Sequence, residues 1–385
     1  MRRRTFLGAA LSAGALARAL AEAPAAWAAG SVSLPFDFAQ QRRILIPITI
    51  DGKPAEAWLD TGSSGSVVDL TFARALGLQL GEEIHAAGVS GKVSGARAIQ
   101  AQLTIAGAAL PRRAMAAMDL SAISEQSPRP VQVILGRELF EAVVVEIDFA
   151  TRRLTLTAHE TFRAPAGAVL PLTPTAGLRS LPVVLDGVAT PTLFDIGNTG
   201  ALLVERAYAE QHGLMAGRRV STQLAVGADG THEQAVLSLD RVRLAGLTFH
   251  QVPVVAATAL AAGAPANVGL DLLSRFHLTI DFAGDRLWMQ PYRDALDIPF
   301  RKNRTGLSVS LEADRLVVIH VAGGSPAAAA GWRTGEAITA IDGRPIEADY
   351  VAGPMFDWTA GPAGQVLALT LGDGSTRKLT LADYY

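Results

Sequence analysis

The chain has 385 residues, 49% of them apolar and 18% charged, which gives it the length and core of two or three domains. A formal charge of −2 leaves no basic footprint for nucleic acid, and Arg241, Arg243 and Arg286 sit in amphipathic strand patterns that read as solvated faces. No cysteine is present, which excludes disulfide staples and thiol chemistry, so stability rests on core burial.

The N-terminus reads as an address. Arg2-Arg3-Arg4 precedes the apolar run Phe6 to Ala17, too short for the roughly 20 residues of a membrane span, and the small-residue site Ala26-Trp27-Ala28 follows. Residues 1–28 are therefore expected to be an export signal peptide, and Arg3-Arg4-Thr5-Phe6-Leu7 gives it a twin-arginine-like character. An ordinary secretory signal or an uncleaved anchor fits the same pattern. Beyond it no apolar run reaches about 18 residues, so no stable span is expected after signal removal.

From there the chain reads as strands and turns. Period-2 runs occur at Ile44 to Ile50, Val143 to Ile147 and Leu278 to Ile280, bounded by Asp-Gly, Gly and Pro signals. Two short helical stretches, Leu70 to Gly77 and Glu205 to Gly213, each end at a glycine placed like a C-cap.

The strongest signal is an internal repeat. Asp60-Thr61-Gly62-Ser63-Ser64 follows Trp58-Leu59, and 135 residues on, from 60 to 195, Asp195-Ile196-Gly197-Asn198-Thr199 follows Leu193-Phe194. Pro47 to Gly52 and Pro182 to Gly187 lead into the two copies at the same spacing. Downstream, Val133-Ile134-Leu135-Gly136 matches the segment ending Asn267-Val268-Gly269, and Ile147-Asp148-Phe149-Ala150 matches Ile280-Asp281-Phe282-Ala283, both at 133 (136 to 269, 147 to 280). Gly88-Val89-Ser90-Gly91 pairs with Gly227-Ala228-Asp229-Gly230 at 139 (88 to 227). The spacing predicts duplicated lobes at 35–160 and 170–293, joined by the stretch Ala164 to Pro174. Asp51-Gly52 and Asp186-Gly187 read as hairpin turns, and Asp148 and Asp281 as partners of a local Arg or as caps.

At these residues the chain resembles the aspartic protease superfamily, of the pepsin-like and retropepsin-like kind, over about 250 residues. The resemblance implies a mainly β fold of two pseudo-twofold-related β-barrel lobes, and the duplicated turns point to Asp60 and Asp195 as the catalytic pair. Two carboxyls about 3 Å apart cannot both ionise, so one serves as base toward a water and the other as acid toward the peptide carbonyl, with no metal or cofactor required. Thr61, Gly62, Ser63, Gly197 and Asn198 are expected to support the pair. In the family the residue after the Gly hydrogen-bonds the carboxylate, which implies that role for Ser63, with the Asn198 amide in the same place of the second copy. Gly88, Val89, Ser90 and Gly91 resemble the substrate-covering flap, and Gly227 to Gly230 read either as its counterpart or as a plain turn.

Ile196 departs from the family pattern. The resemblance implies a Thr there, reaching across the lobe interface, and isoleucine has no hydroxyl to do so. Thr61 can make the link from lobe one alone, and losing the other costs on the order of 1 kcal/mol. A catalytically weak or inactive peptide-binding or scaffold protein is therefore the alternative reading. The seven His show no paired ligand spacing, and no G-x-S-x-G elbow or P-loop is present.

Past Pro299 the repeat stops. Gly306-Leu307-Ser308-Val309 opens a strand, Leu316 to Ile319 makes another, Gly324 to Gly331 starts a short helix, and Ile338 to Gly343 reads as strand plus Asp-Gly turn. Residues 299–385 resemble a PDZ domain of the exported bacterial protease kind. The resemblance implies that Gly306, Leu307, Ser308 and Val309 form the loop that holds a ligand's terminal carboxylate, and that a helix near Asp349 to Trp358 flanks the groove. Ser308 stands where the family often has a second Gly, and Gly353-Pro354 interrupts that helix. An altered groove, or a packing appendage that binds nothing, also fits.

Together these readings describe an exported, periplasmic aspartic endopeptidase, expected to be monomeric. Its expected partners are a peptide or protein substrate and, at the PDZ-like unit, a C-terminal peptide, with no nucleic acid.

Overall fold

The computed structural model describes residues 30–87, 93–125, 127–227, 230–260 and 263–385. The signal-like segment 1–28, the flap-like Gly88 to Gly91 and the turn residues Ala228 and Asp229 lie outside the described residues. The protein is mainly β, with few and short helices. No helix among the described residues is long and apolar enough to cross a membrane.

Each lobe is built around one hairpin. Strand Arg43–Ile50 turns at Asp51-Gly52 into strand Lys53–Leu59, and strand Leu178–Leu185 turns at Asp186-Gly187 into strand Val188–Phe194. Both two-residue turns have positive φ throughout, +48° and +77° in the first and +45° and +94° in the second, as a hairpin loop matching strand twist requires. The aspartates serve the turns. Asp51 Oδ1 accepts from Gln102 N–H and Asp186 Oδ1 from Arg241 N–H, tying each turn to a neighbouring strand.

The second strand of each hairpin ends at a carboxylate turn, flanked by an inserted parallel strand. Val133–Leu135 pairs with the Ala57–Leu59 end in lobe one, and Ala266–Val268 with the Thr192–Phe194 end in lobe two. Asp60 N–H donates to Leu135 O at 3.0 Å and Asp195 N–H to Val268 O at 3.1 Å, so both turns leave their sheets at the same place. The glycine after each inserted strand is dictated by crowding. A Cβ on Gly136 would stand 2.7 Å from the Gly65 carbonyl carbon, and one on Gly269 would stand 2.4 Å from the Gly200 carbonyl oxygen. Both obstacles are backbone, which cannot rotate away.

The lobes share a six-stranded sheet, ordered Ser31–Pro35, Arg153–Thr157, Val144–Asp148, Phe276–Asp281, Arg286–Pro291, Val169–Pro171. At its middle the two repeat copies pair with each other antiparallel, Val145 with Ile280 and Ile147 with Leu278. One hydrophobic cluster runs through both lobes beneath it, and the rings of Phe140 and Phe282 meet across the boundary at 5.5 Å. The connecting stretch contributes the edge strand Val169–Pro171. Of the two strand-end acids, Asp281 pairs with Arg286 as the sequence suggests. Asp148 takes the capping role the sequence also allows, accepting from Ala150 and Thr151 N–H as well as from Thr151 Oγ1 and Tyr292 OH, while Arg153 turns to Ser33.

Residues beyond Pro299 carry their own sheet, ordered Leu307–Glu312, Arg315–Val321, Ala337–Ile341, Val366–Leu371, Thr376–Thr380, and their own apolar core around Trp332, Tyr350 and Trp358. The helix expected near Asp349 to Trp358 is a series of turns closing in the 3-10 turn Trp358–Ala360. Pro354 disfavours helical backbone at Gly353 and has no N–H to continue a helix. The Trp358 indole N–H donates to Tyr350 OH at 2.7 Å and holds the segment instead. This unit touches both lobes. Ser221 Oγ donates to Gly323 O at 2.6 Å and Thr222 Oγ1 lies 3.0 Å from His320 Nε2 on the lobe-two side, while Gln40 bonds Val351 O and Arg42 pairs with Asp357 on the lobe-one side.

The crowding at Gly269 gives a stability test. Gly269→Ala is expected to cost about 1–3 kcal/mol in denaturant unfolding, since backbone must move. Gly323→Ala, where an added Cβ meets open space, is expected to change the midpoint far less.

Candidate active site

The two turns bring Asp60 and Asp195 together across the lobe boundary, each carboxyl lying against the other turn's glycine. Each carboxyl is also gripped by its own turn. Gly62 N–H donates to Asp60 Oδ1 at 2.8 Å, and Gly197 and Asn198 N–H donate to Asp195 Oδ1 at 2.8 and 3.1 Å. The turn glycines make the approach possible. A Cβ on Gly62 would fall 2.4 Å from Asp195 Cγ, and a Cβ on Gly197 would fall 2.2 Å from Asp60 Cγ. Each lobe thus leaves out a side chain to admit the other lobe's acid.

Burial, and then the charge and hydrogen bond of Asp195, push the Asp60 carboxyl well above the ordinary aspartate range. Asp195 is itself only 4% exposed. A pair so placed holds one proton between two carboxyls, and can offer an acid and a base at once.

Thr61 is fully buried and spans the interface in both directions. Its Oγ1 donates to Phe194 O at 2.8 Å and accepts from Ile196 N–H at 3.0 Å. Ile196, also fully buried, sends its side chain into the common apolar core. The link is one-sided, as the sequence suggests.

Two supporting roles differ from expectation. The Ser63 hydroxyl does not reach Asp60 but donates to Gly65 O at 2.7 Å, while the Ser63 backbone N–H donates to the Asp60 carbonyl oxygen at 3.4 Å. The Asn198 amide does not reach Asp195 either. Its Nδ2 donates to Asn267 Oδ1 at 2.9 Å, and Asn267 Nδ2 donates to Asp195 Oδ2 at 2.6 Å. Asn267, 3% exposed, is the functional-site residue the sequence reading missed. It occupies the position of Ile134 in the repeat. A polar amide inside the otherwise apolar strand Ala266–Val268 was the available signal. Lobe one anchors its turn differently, with Glu138 accepting from Ser66 N–H and Oγ, and Ser66 Oγ accepting from Gly136 N–H.

The remaining site residues lie elsewhere. Gly88, Val89, Ser90 and Gly91 are outside the described residues. Gly306, Leu307, Ser308 and Val309 sit at the start of the third unit's edge strand, with Gly306 at φ +80° and a register shift between Ser308 and Val309. The N–H groups of Gly306 and Leu307, and of Thr305 before them, are already occupied. Asn303 Oδ1 accepts from Thr305 and Gly306, and Thr305 Oγ1 accepts from Leu307. Among the described residues no group of three or more His, Asp or Glu is placed to hold a metal ion.

Residues 46–139 and 181–272, one segment in each lobe, match the family model of aspartyl proteases. Each segment contains one of the two aspartates. The structure is similar to the crystal structure of aspartic proteinase from Irpex lacteus, at 13% identity and a TM-score of 0.41, covering 68% of this chain and 98% of that chain. No curated protein matches the sequence.

The displaced ionisation of Asp60 has a stability consequence. Unfolded, the residue loses its proton near pH 4; folded, it keeps it to a higher pH. Between those two values only the folded state binds the proton, so this contribution to stability falls as pH rises through that window and is unchanged below about pH 4. Asp60→Asn, which cannot ionise, is expected to raise Tm relative to wild type at neutral pH, with the difference vanishing near pH 4. Melting curves of the two proteins across that range check it.

Proposed function

We propose that the protein is an aspartic-type endopeptidase in which Asp60 and Asp195 are the catalytic residues. The observation that carries this reading is their approach across the lobe boundary, with a glycine of each lobe making room for the other's carboxyl. The ionised carboxyl takes a proton from a water held between the two, and the water oxygen bonds to the peptide carbonyl carbon. The protonated carboxyl gives its proton to the carbonyl oxygen. The tetrahedral diol then collapses: the carboxyl that took the water's proton passes it to the amine nitrogen as the C–N bond breaks, and a diol hydroxyl returns a proton to the other carboxyl as the carbonyl re-forms. Substrate reaches the pair in an extended form.

Ile196 favours a slower enzyme, or as a second reading a protein that binds peptide without turnover. Thr61 argues for the enzyme, because its hydroxyl alone holds both the Phe194 carbonyl and the Ile196 N–H and so fixes the second turn relative to the first.

In the same proposal residues 1–28 direct export to the periplasm, lobes at 35–160 and 170–293 form the monomeric enzyme, and 299–385 is a PDZ-like module. The free edge of strand Leu307–Glu312, at one end of its sheet, supports the addition of an extended peptide there. The N–H groups of Thr305, Gly306 and Leu307 are occupied by Asn303 and Thr305, which favours an internal peptide segment over a terminal carboxylate as the ligand.

Digestion of a peptide library across pH tests the central claim. Wild type is expected to cleave best in acid, and Asp60→Asn and Asp195→Asn to lose that cleavage by several orders of magnitude. Equal cleavage by wild type and the Asn variants would refute it, and binding of peptide without cleavage would favour the second reading.

A further inference from the structure

The two carboxyls are held unequally, and the inequality has a built cause. Among the described residues the Asp60 carboxyl accepts from one backbone donor, Gly62 N–H. Asp195 receives two backbone N–H groups on Oδ1 and, on Oδ2, the side-chain amide of Asn267 at 2.6 Å. In lobe one the matching position is Ile134, which has nothing to donate, and the nearby Ser63 hydroxyl is turned to Gly65 O.

The direction of the Asn267 amide is fixed from outside. Gly200 N–H, a backbone group that can only donate, bonds Asn198 Oδ1 at 2.9 Å. The other end of that amide, Nδ2, therefore faces Asn267, whose Oδ1 accepts at 2.9 Å and whose Nδ2 is left to point at Asp195. Reversing the Asn267 amide would set oxygen against oxygen at the carboxylate and nitrogen against nitrogen at Asn198. The chain Gly200, Asn198, Asn267, Asp195 thus runs one way and ends in a donor.

A donor aimed at a carboxylate oxygen favours its charged form. We propose that Asn267, oriented by Asn198, is a positioning residue that keeps Asp195 as the ionised member of the pair and leaves the shared proton on Asp60. The inference rests on the endopeptidase reading of this site for its catalytic meaning: Asp195 then draws the proton from water and Asp60 donates to the carbonyl. Asp60 is the titratable group facing Asp195 from lobe one. Among the described residues, the charged groups on the segments that follow the two inserted strands have their own partners: Glu138 accepts from Ser66, Arg137 donates to Gly177 O, and Asp271 accepts from Arg275 and from Arg301 N–H.

Because the donor acts on the charged form, it eases the first proton off the pair more than the second. Aspartate-carboxyl ¹³C NMR titration of the full chain reads those two steps without any substrate. In Asn267→Ile, which installs the lobe-one residue, the first step is expected to move up by about one pH unit, with a smaller change in the second. Asn198→Ala, at a half-buried position, frees the Asn267 amide to turn and is expected to move the first step the same way by less. Where peptide cleavage is measurable, the acidic limb of the kcat/KM profile should move with it while the alkaline limb stays. A first step that does not move, or moves down, in Asn267→Ile overturns the assignment. Should that variant fail to fold, an unmoved first step in Asn198→Ala overturns it. Failure of the endopeptidase reading looks different: wild type would cleave nothing while the titration shift remained.

Discussion

Two carboxyl groups brought together in a buried site repel strongly if both are charged, and neither would choose that arrangement in water. The fold imposes it. Asp60 and Asp195 sit at the ends of strands whose neighbours, Val133–Leu135 and Ala266–Val268, fix the exit of each turn through one backbone hydrogen bond apiece. The absent side chains of Gly62 and Gly197 leave the space that the opposite acid fills. The outcome is a pair that lowers its energy by keeping a proton, which is the property acid–base chemistry at one site needs.

Holding that contact demands that the lobes not drift apart. The shared sheet does this at long range, with Val145 against Ile280 and Ile147 against Leu278, and the continuous core beneath it resists shear. At short range the work falls on Thr61. Its buried hydroxyl donates and accepts across the boundary, so the loss of a hydroxyl at Ile196 removes redundancy and not the link itself. Ile196 in turn fills apolar core volume that a threonine would fill less completely.

The legible part of this protein was whatever the repeat preserves. Aspartate, the glycine two places on and the glycine after the inserted strand recur because each answers a constraint the two lobes share: a charge, an approach and a crossing. Residues in which the lobes differ gave no such signal. Asn267 falls where lobe one has Ile134, so a comparison of the copies registers it only as a mismatch. The Ser63 hydroxyl shows a second limit, since one side-chain torsion decides between Asp60 and Gly65 O, and sequence spacing is silent about torsions. In the third unit the strands were readable from their alternation, whereas the stretch around Gly353-Pro354 became turns because proline overrode the expected helix.

A duplicated site begins symmetric, but the chemistry it performs is not. One carboxyl must be charged and one neutral at the moment a substrate carbonyl arrives, and a symmetric pair would interconvert between two equivalent states, only one of which suits a given substrate orientation. The differences between the lobes bear on this. Lobe one anchors its turn through Ser66 and Glu138, beside the turn and away from the Asp60 oxygens, while lobe two anchors its turn through an amide that ends on the Asp195 oxygen itself. The polarity of that amide traces back to the Gly200 backbone N–H, so the bias between the acids is written into main-chain geometry and not left to the rotation of a hydroxyl. Ile196 adds to the same asymmetry from the interface side. In the proposed reading a single strand position, Ile134 in one copy and Asn267 in the other, contributes most directly to the inequality of the two acids, because its amide ends on one of them.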